Sequence, residues 1–169
     1  MPGKFSLMGA LCGLMLLTAC SDDAVEPKRK FISFKLDNGV LLSEQRNSAY
    51  YMPGDLTDAD PANDYSQLLV AGYSYGQDVI NIRVFSEQPQ ITPGVYSNMM
   101  GGTAMFLEEK ATGDRLVADD NYGNITVVIH QVYDSLAIGE FSGNLVNMTD
   151  GSIKAVNDGY FKMIYKKFP

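Results

Sequence analysis

From Phe31 onward, apolar and polar residues alternate with period two, the pattern of half-buried strands. Ile32, Phe34 and Leu36 alternate with Ser33 and Lys35. Asp37-Asn38-Gly39 then supplies a hairpin turn, and residues 40–43 return. Further strands are predicted over residues 67–75 and 79–85, where Ile80, Ile82 and Val84 face away from Asn81 and Arg83. Short ones follow at 95–96 and 103–107. The last third is richest in β-branched residues. Strands are expected over 124–133, 136–146 and 153–166, separated by turns at Tyr133-Asp134-Ser135 and Asp150-Gly151. No segment carries ten residues of helical periodicity with caps. About eight to ten short strands predict an all-β fold, an antiparallel β-sandwich or a lipocalin-like β-barrel.

Residues 44–64 show neither period, and a patternless stretch that long is a functional loop or hides an element. Tyr50 and Tyr51 lie in it. Two neighbouring residues cannot both point inward from one strand, so they are the candidate ligand-binding aromatics. Asp55, Asp58, Asp60 and Asp64 also lie there and offer the oxygen donors that Ca²⁺ prefers. Their spacing departs from the EF-hand, and a solvated acidic loop is the plainer reading. Asp119-Asp120-Asn121 is a second acidic patch.

The start of the chain has a different grammar. Lys4 precedes an uncharged run over residues 5–19, too short to span a bilayer, and Leu17-Thr18-Ala19-Cys20 closes it. The run is that of a secretory signal, and its end resembles the lipobox of bacterial lipoproteins. That resemblance implies cleavage before Cys20, acylation of Cys20 with chains such as palmitate, and anchoring to a membrane through them. The expected organisation is therefore a signal peptide (1–19), a lipidated Cys and tether (20–30) and a single β domain (31–169). Ser21-Asp22-Asp23 is similar to the acidic tract of surface-exported lipoproteins of the Bacteroidota, which implies an outer-membrane and surface-exposed address.

Composition agrees with one domain outside the cytosol. The 169 residues are 46% hydrophobic and carry a net charge of −7, which offers no basic face to nucleic acid. With one His and two Cys, one of them inside the leader, zinc chemistry and a thiol nucleophile are not expected, nor is any cofactor.

Gly72-Tyr73-Ser74-Tyr75-Gly76 matches the G-x-S-x-G string of the α/β-hydrolases, and His130 follows it. The elbow requires a helix after the serine, whereas residues 79–85 alternate as a strand. Ser74 is therefore expected in an ordinary strand near a hairpin. His130 is placed on the Thr126, Val128 and Val132 side of its strand.

Pro93-Gly94-Val95-Tyr96, Gly123-Asn124-Ile125-Thr126-Val127, Ile138-Gly139-Glu140-Phe141-Ser142-Gly143 and Val156-Asn157-Asp158-Gly159-Tyr160-Phe161 occur in that order. The series resembles a set of Bacteroidota envelope lipoproteins with all-β, lipocalin-like or sandwich domains. Glu140 departs from it, standing where a small residue is usual. Asp134-Ser135-Leu136 is similar to the O-glycosylation acceptor of such proteins. The resemblance implies fold and location, with no activity attached. The expected function is a lipid-anchored, non-catalytic binding or scaffolding domain for a surface ligand (glycan, peptide or protein). A carrier of a small apolar ligand and a serine or carboxylate hydrolase are the alternatives.

Overall fold

The computed structural model describes residues 29–168, so the lipidation residue Cys20 and the leader lie outside the described residues. The domain is all-β: β1 (Phe31–Leu36), β2 (Gly39–Ser43), β3 (Ser48–Met52), β4 (Ser66–Tyr73), β5 (Val79–Ser86), β6 (Gly94–Ser97), β7 (Ala104–Glu108), β8 (Arg115–Ala118), β9 (Asn124–Tyr133), β10 (Leu136–Asn147) and β11 (Ile153–Lys167). Two single 3-10 turns, Pro61–Asn63 and Asn98–Met100, complete the described elements.

Eleven strands exceed the eight to ten expected, and two of them were hidden. β3 lies inside the stretch that shows no pattern. Tyr50 and Tyr51 are both amphipathic, so their alternation is invisible in hydropathy, yet Tyr51 turns in and Tyr50 turns out. β8 has four residues, too few for a period to register.

All strands belong to one sheet, and seven of them close a ring: β11–β3–β4–β5–β7–β8–β10 and back to β11. Closure depends on the two longest strands, each of which serves two neighbours along one edge. β11 pairs with β1 over residues 31–36 and then with β3, from Tyr165 opposite Ala49 to Lys167 opposite Tyr51. This second junction is parallel, an exception to the antiparallel rule of the other pairings. The N–H of Tyr165 points to Ser135 O on one side, and that of Phe168 points to Tyr51 O on the other. β10 likewise pairs with β9 up to Asn144 and with β8 at Val146 and Asn147. Leu136 faces Ile164 and Val146 faces Ile153, so the two junctions lie at opposite ends of the β10–β11 ribbon. The result lies between the two expected architectures. A first wall (β2–β1–β11–β10–β9–β6) and a second wall (β3–β4–β5–β7–β8) are joined at diagonal corners.

Side chains occupy the space between the walls. Phe34, Ile80, Ile82, Met105, Leu116, Ile129 and Phe161 are at most 1% exposed and form a single cluster. Within it β10 and β11 carry the same short motif facing each other. Gly139-Glu140-Phe141 lies opposite Gly159-Tyr160-Phe161, so that Gly139 pairs with Phe161 and Phe141 with Gly159. Each phenylalanine thus covers the bare backbone of the other strand's glycine, an arrangement that offsets glycine's weakness in a sheet. A Cβ on Gly139 would lie 2.7 Å from the Phe161 ring, and one on Gly159 only 2.3 Å from Phe141 O.

Two bulges adjust the long strands. Val156 faces Gly143 and Gly159 faces Phe141, leaving Asn157 and Asp158 opposite Ser142 alone, with Asp158 at φ 51°. In β9, His130 is the extra residue between Ile129 (opposite Gly139) and Gln131 (opposite Ile138). This resets the alternation. Val132 packs against the core instead of sharing the outward side with His130, a correction to the period-two reading.

The β9–β10 hairpin turns on Asp134 and Ser135 at φ 49° and 64°, both in the left-handed region that Asn and Gly tolerate better. The double replacement Asp134→Asn, Ser135→Gly is expected to stabilise the domain by about 1 kcal/mol. Thermal unfolding would register this as a midpoint a few degrees higher; an unchanged or lower midpoint contradicts the assignment of strain to the turn.

Candidate functional site

The acidic loop is held by its own backbone. Asp55 Oδ1 accepts from the N–H of Thr57 at 2.9 Å and from its hydroxyl at 2.6 Å, which pulls the Asp55 carboxyl below its ordinary range. Asp58 accepts from Asp60 N–H and from Asn63 Nδ2. Asp60 caps the 3-10 turn through Ala62 N–H, and Asp64 ends that turn. Among the described residues no three His, Cys, Asp or Glu side chains come together as a set able to hold a metal ion. The four aspartates are therefore not gathered as such a set; Asp55, Asp58 and Asp60 shape Asx turns.

Ser74 lies past the end of β4, in the turn to β5, and is 4% exposed. Its hydroxyl donates to Asp78 Oδ2 at 2.6 Å and accepts from Asp78 N–H at 3.0 Å, while Ser74 N–H reaches Asp78 O. The G-x-S-x-G string is thus a hairpin closed on itself, with no strand-to-helix elbow. His130 sits on the outside of the first wall, its Nε2 3.3 Å from Glu140 Oε1 across the strands.

The outer side of each wall carries a depression. On the first wall a hollow of about 540 Å³ lies around the Asp158 bulge, lined by Thr126, Val128, Glu140, Ser142 and Tyr160. Asp158 meets Lys35 Nζ there at 2.7 Å, and Glu140 Oε1 lies 3.3 Å from His130 Nε2. The second wall is different. A trough of about 400 Å³ runs across it, and Tyr50 is part of its lining.

Strand register builds this trough. Direct cross-strand partners share a face, so two parallel rows of side chains emerge. One row reads Tyr50–Leu69–Arg83–Ala104. The other reads Ser48–Ala71–Asn81–Phe106–Val117. Small residues (Ser48, Ala71, Ala104) set the low points, and Tyr50, Leu69 and Phe106 stand higher. Tyr50 is 38% exposed and is braced by Phe168, whose ring meets it edge-on at 6.2 Å. Arg83 Nε donates to Gly102 O at 2.7 Å, which orients the guanidinium. Among the described residues Arg83 pairs with no carboxylate. Asp119 borders the trough, but its Oδ1 is engaged by the N–H groups of Asn121 and Tyr122.

Of the two candidate tyrosines, then, one belongs to an outer surface. Tyr51 is 7% exposed, its ring against Tyr165 at 5.4 Å, its hydroxyl accepting from Ile91 N–H at 3.3 Å. Burial pushes its phenol above the ordinary value. Tyr51 is a core residue, which corrects its place among the ligand-binding candidates. Asn81, Arg83 and Phe106 were missed. The alternation around Ile80 and Ile82 puts Asn81 and Arg83 outside, but their neighbours depend on register across five strands. Compared with known proteins, the chain matches no protein family, no curated protein and no solved structure.

Proposed function

We propose that this chain is a lipid-anchored protein of the bacterial cell envelope whose β domain binds a surface ligand without catalysing its conversion. The observation that carries the reading is the uncharged run over residues 5–19 ending at Leu17-Thr18-Ala19-Cys20. An acylated Cys20 would hold the domain at the outer membrane, with at most about 30 Å of extended chain between Cys20 and Arg29.

Binding is supported by the trough of the second wall, where aromatic, small and cationic side chains meet on an exposed surface. The non-catalytic reading draws on the commitments of the chemistry-bearing residues. Ser74 is bonded to Asp78 in a turn, and His130 faces Glu140 on the other wall. The interior is filled by side chains, so a carried apolar molecule would have to sit on an outer face.

The anchor is tested by expressing the full chain in a bacterium that processes lipoproteins. The wild-type protein is expected to enter the detergent phase on phase partition and to incorporate labelled palmitate. Cys20→Ser should lose the label and move to the aqueous phase. Wild-type protein that stays aqueous with residues 1–19 attached refutes the proposal.

A further inference from the structure

The trough on the second wall places an aromatic ring, an apolar side chain and a guanidinium that meets no carboxylate among the described residues in one line, and that combination has a definite complement. We infer that it takes an acidic oligosaccharide, a chain of pyranose rings bearing a uronic-acid carboxylate, with Tyr50 stacking on a ring and Arg83 receiving the carboxylate. The inference deepens the binding role given to this surface above and rests on it.

Charge is the first argument. The protein is acidic overall, with 20 Asp and Glu against 13 Lys and Arg. An exposed Arg on such a surface has many candidate partners, yet none reaches Arg83 among the described residues. The bond from its Nε to Gly102 O holds the fork in place and leaves the terminal nitrogens for a planar, bidentate acceptor such as a carboxylate. Asp119 borders the trough beyond Ala104. It disfavours a second carboxylate there and orients an acidic ligand toward Tyr50.

Geometry is the second. Tyr50 and Arg83 lie in one row, two strand steps apart through Leu69. At about 4.8 Å per step they are separated by roughly 10 Å. Roughly two linked pyranose rings span that distance, so one ring can lie on Tyr50 while the carboxylate of the next meets Arg83. Asn81, two residues along β5 from Arg83, offers a planar amide to ring hydroxyls. Leu69, between Tyr50 and Arg83, gives the ring C–H groups an apolar contact, with Ala71 as the low point beside it.

The sheet itself separates a sugar from a peptide. The trough lies on a sheet face, where the backbone N–H and C=O groups are spent in the ladders between β3, β4, β5, β7 and β8. An extended peptide gains affinity from free main-chain partners at a sheet edge, and finds none here. A sugar needs only side chains.

The test is calorimetric titration of the full chain in detergent with trimers of galacturonate and of mannuronate, their methyl esters, and an acidic Glu-rich hexapeptide. At least one uronate trimer is expected to bind, with its methyl ester at least about tenfold weaker. Arg83→Gln should cost about tenfold or more, Arg83→Lys should recover part of the loss, and Tyr50→Ala should weaken both ester and acid. Unchanged thermal midpoints certify that the variants fold. The inference fails if neither trimer binds, if ester and acid bind equally, if Arg83→Gln binds as wild type, or if the peptide binds as tightly as the sugars. None of these outcomes touches the Cys20 anchor, which phase partition tests separately.

Discussion

Phe161→Ala is expected to remove about 3–5 kcal/mol of stability, a large share of what a domain of this size possesses. Two losses add together. The first is burial, since Phe161 is fully inaccessible and packs within one cluster between the walls, its ring centroid 6.4 Å from that of Phe141. The second is specific to the sheet. Phe161 covers Gly139, so its removal opens a cavity and exposes a strand position that has no side chain of its own. Gly159→Ala probes the same device from the opposite side. Its methyl would meet the Phe141 carbonyl oxygen at 2.3 Å, backbone that cannot step aside without breaking the β10–β11 register. Urea denaturation of the three proteins is the measurement. A Phe161→Ala loss below about 1 kcal/mol would show that the paired motif is ornamental.

This motif also shows how far the sequence could be read. Gly139-x-Phe141 and Gly159-x-Phe161 are visible as strings, but their reciprocity appears only when β10 and β11 are set antiparallel in register. Strands rich in Val, Ile and Phe, such as β5 and β9, reveal themselves because period two contrasts sharply there. β3 does not, because Tyr serves inside and outside equally well. Closure was out of reach for another reason. It depends on β11 changing partner from β1 to β3, a parallel contact between segments more than a hundred residues apart. The site followed the same rule. Tyr50 stands out in the sequence through the lack of pattern around it and belongs on the surface because of its strand, whereas Arg83 gains its meaning only from Leu69 and Ala104 beside it.

Asn98→Ala is expected to cost about 2–4 kcal/mol, although Asn98 only opens a single 3-10 turn between strands. Its side chain is buried, 6% exposed, and ties three backbone groups together. Nδ2 donates to Asp119 O at 2.5 Å and to Gly123 O at 3.3 Å, and Oδ1 accepts from Ile125 N–H at 2.9 Å. Alanine leaves these groups unpaired in a site with little access to water. Asn98→Asp distinguishes hydrogen bonding from packing. An ionised carboxylate keeps the bond to Ile125 but turns an oxygen toward two carbonyls, so its folded-state pKa should rise above the unfolded value of about 3.9. The deficit relative to wild type is then smallest below that pH and grows as pH rises through the folded pKa, a trend that paired urea titrations at acidic and neutral pH would read. A pH-independent deficit would assign the effect to packing instead. The same contacts bear on the trough. Asn98 holds the segment leading to Gly102 against the Asp119–Gly123 loop, and Gly102 N–H is bonded to Asp120 Oδ1 at 3.0 Å. Since Gly102 O orients Arg83, loosening Asn98 should blur the guanidinium's position as well as lower stability.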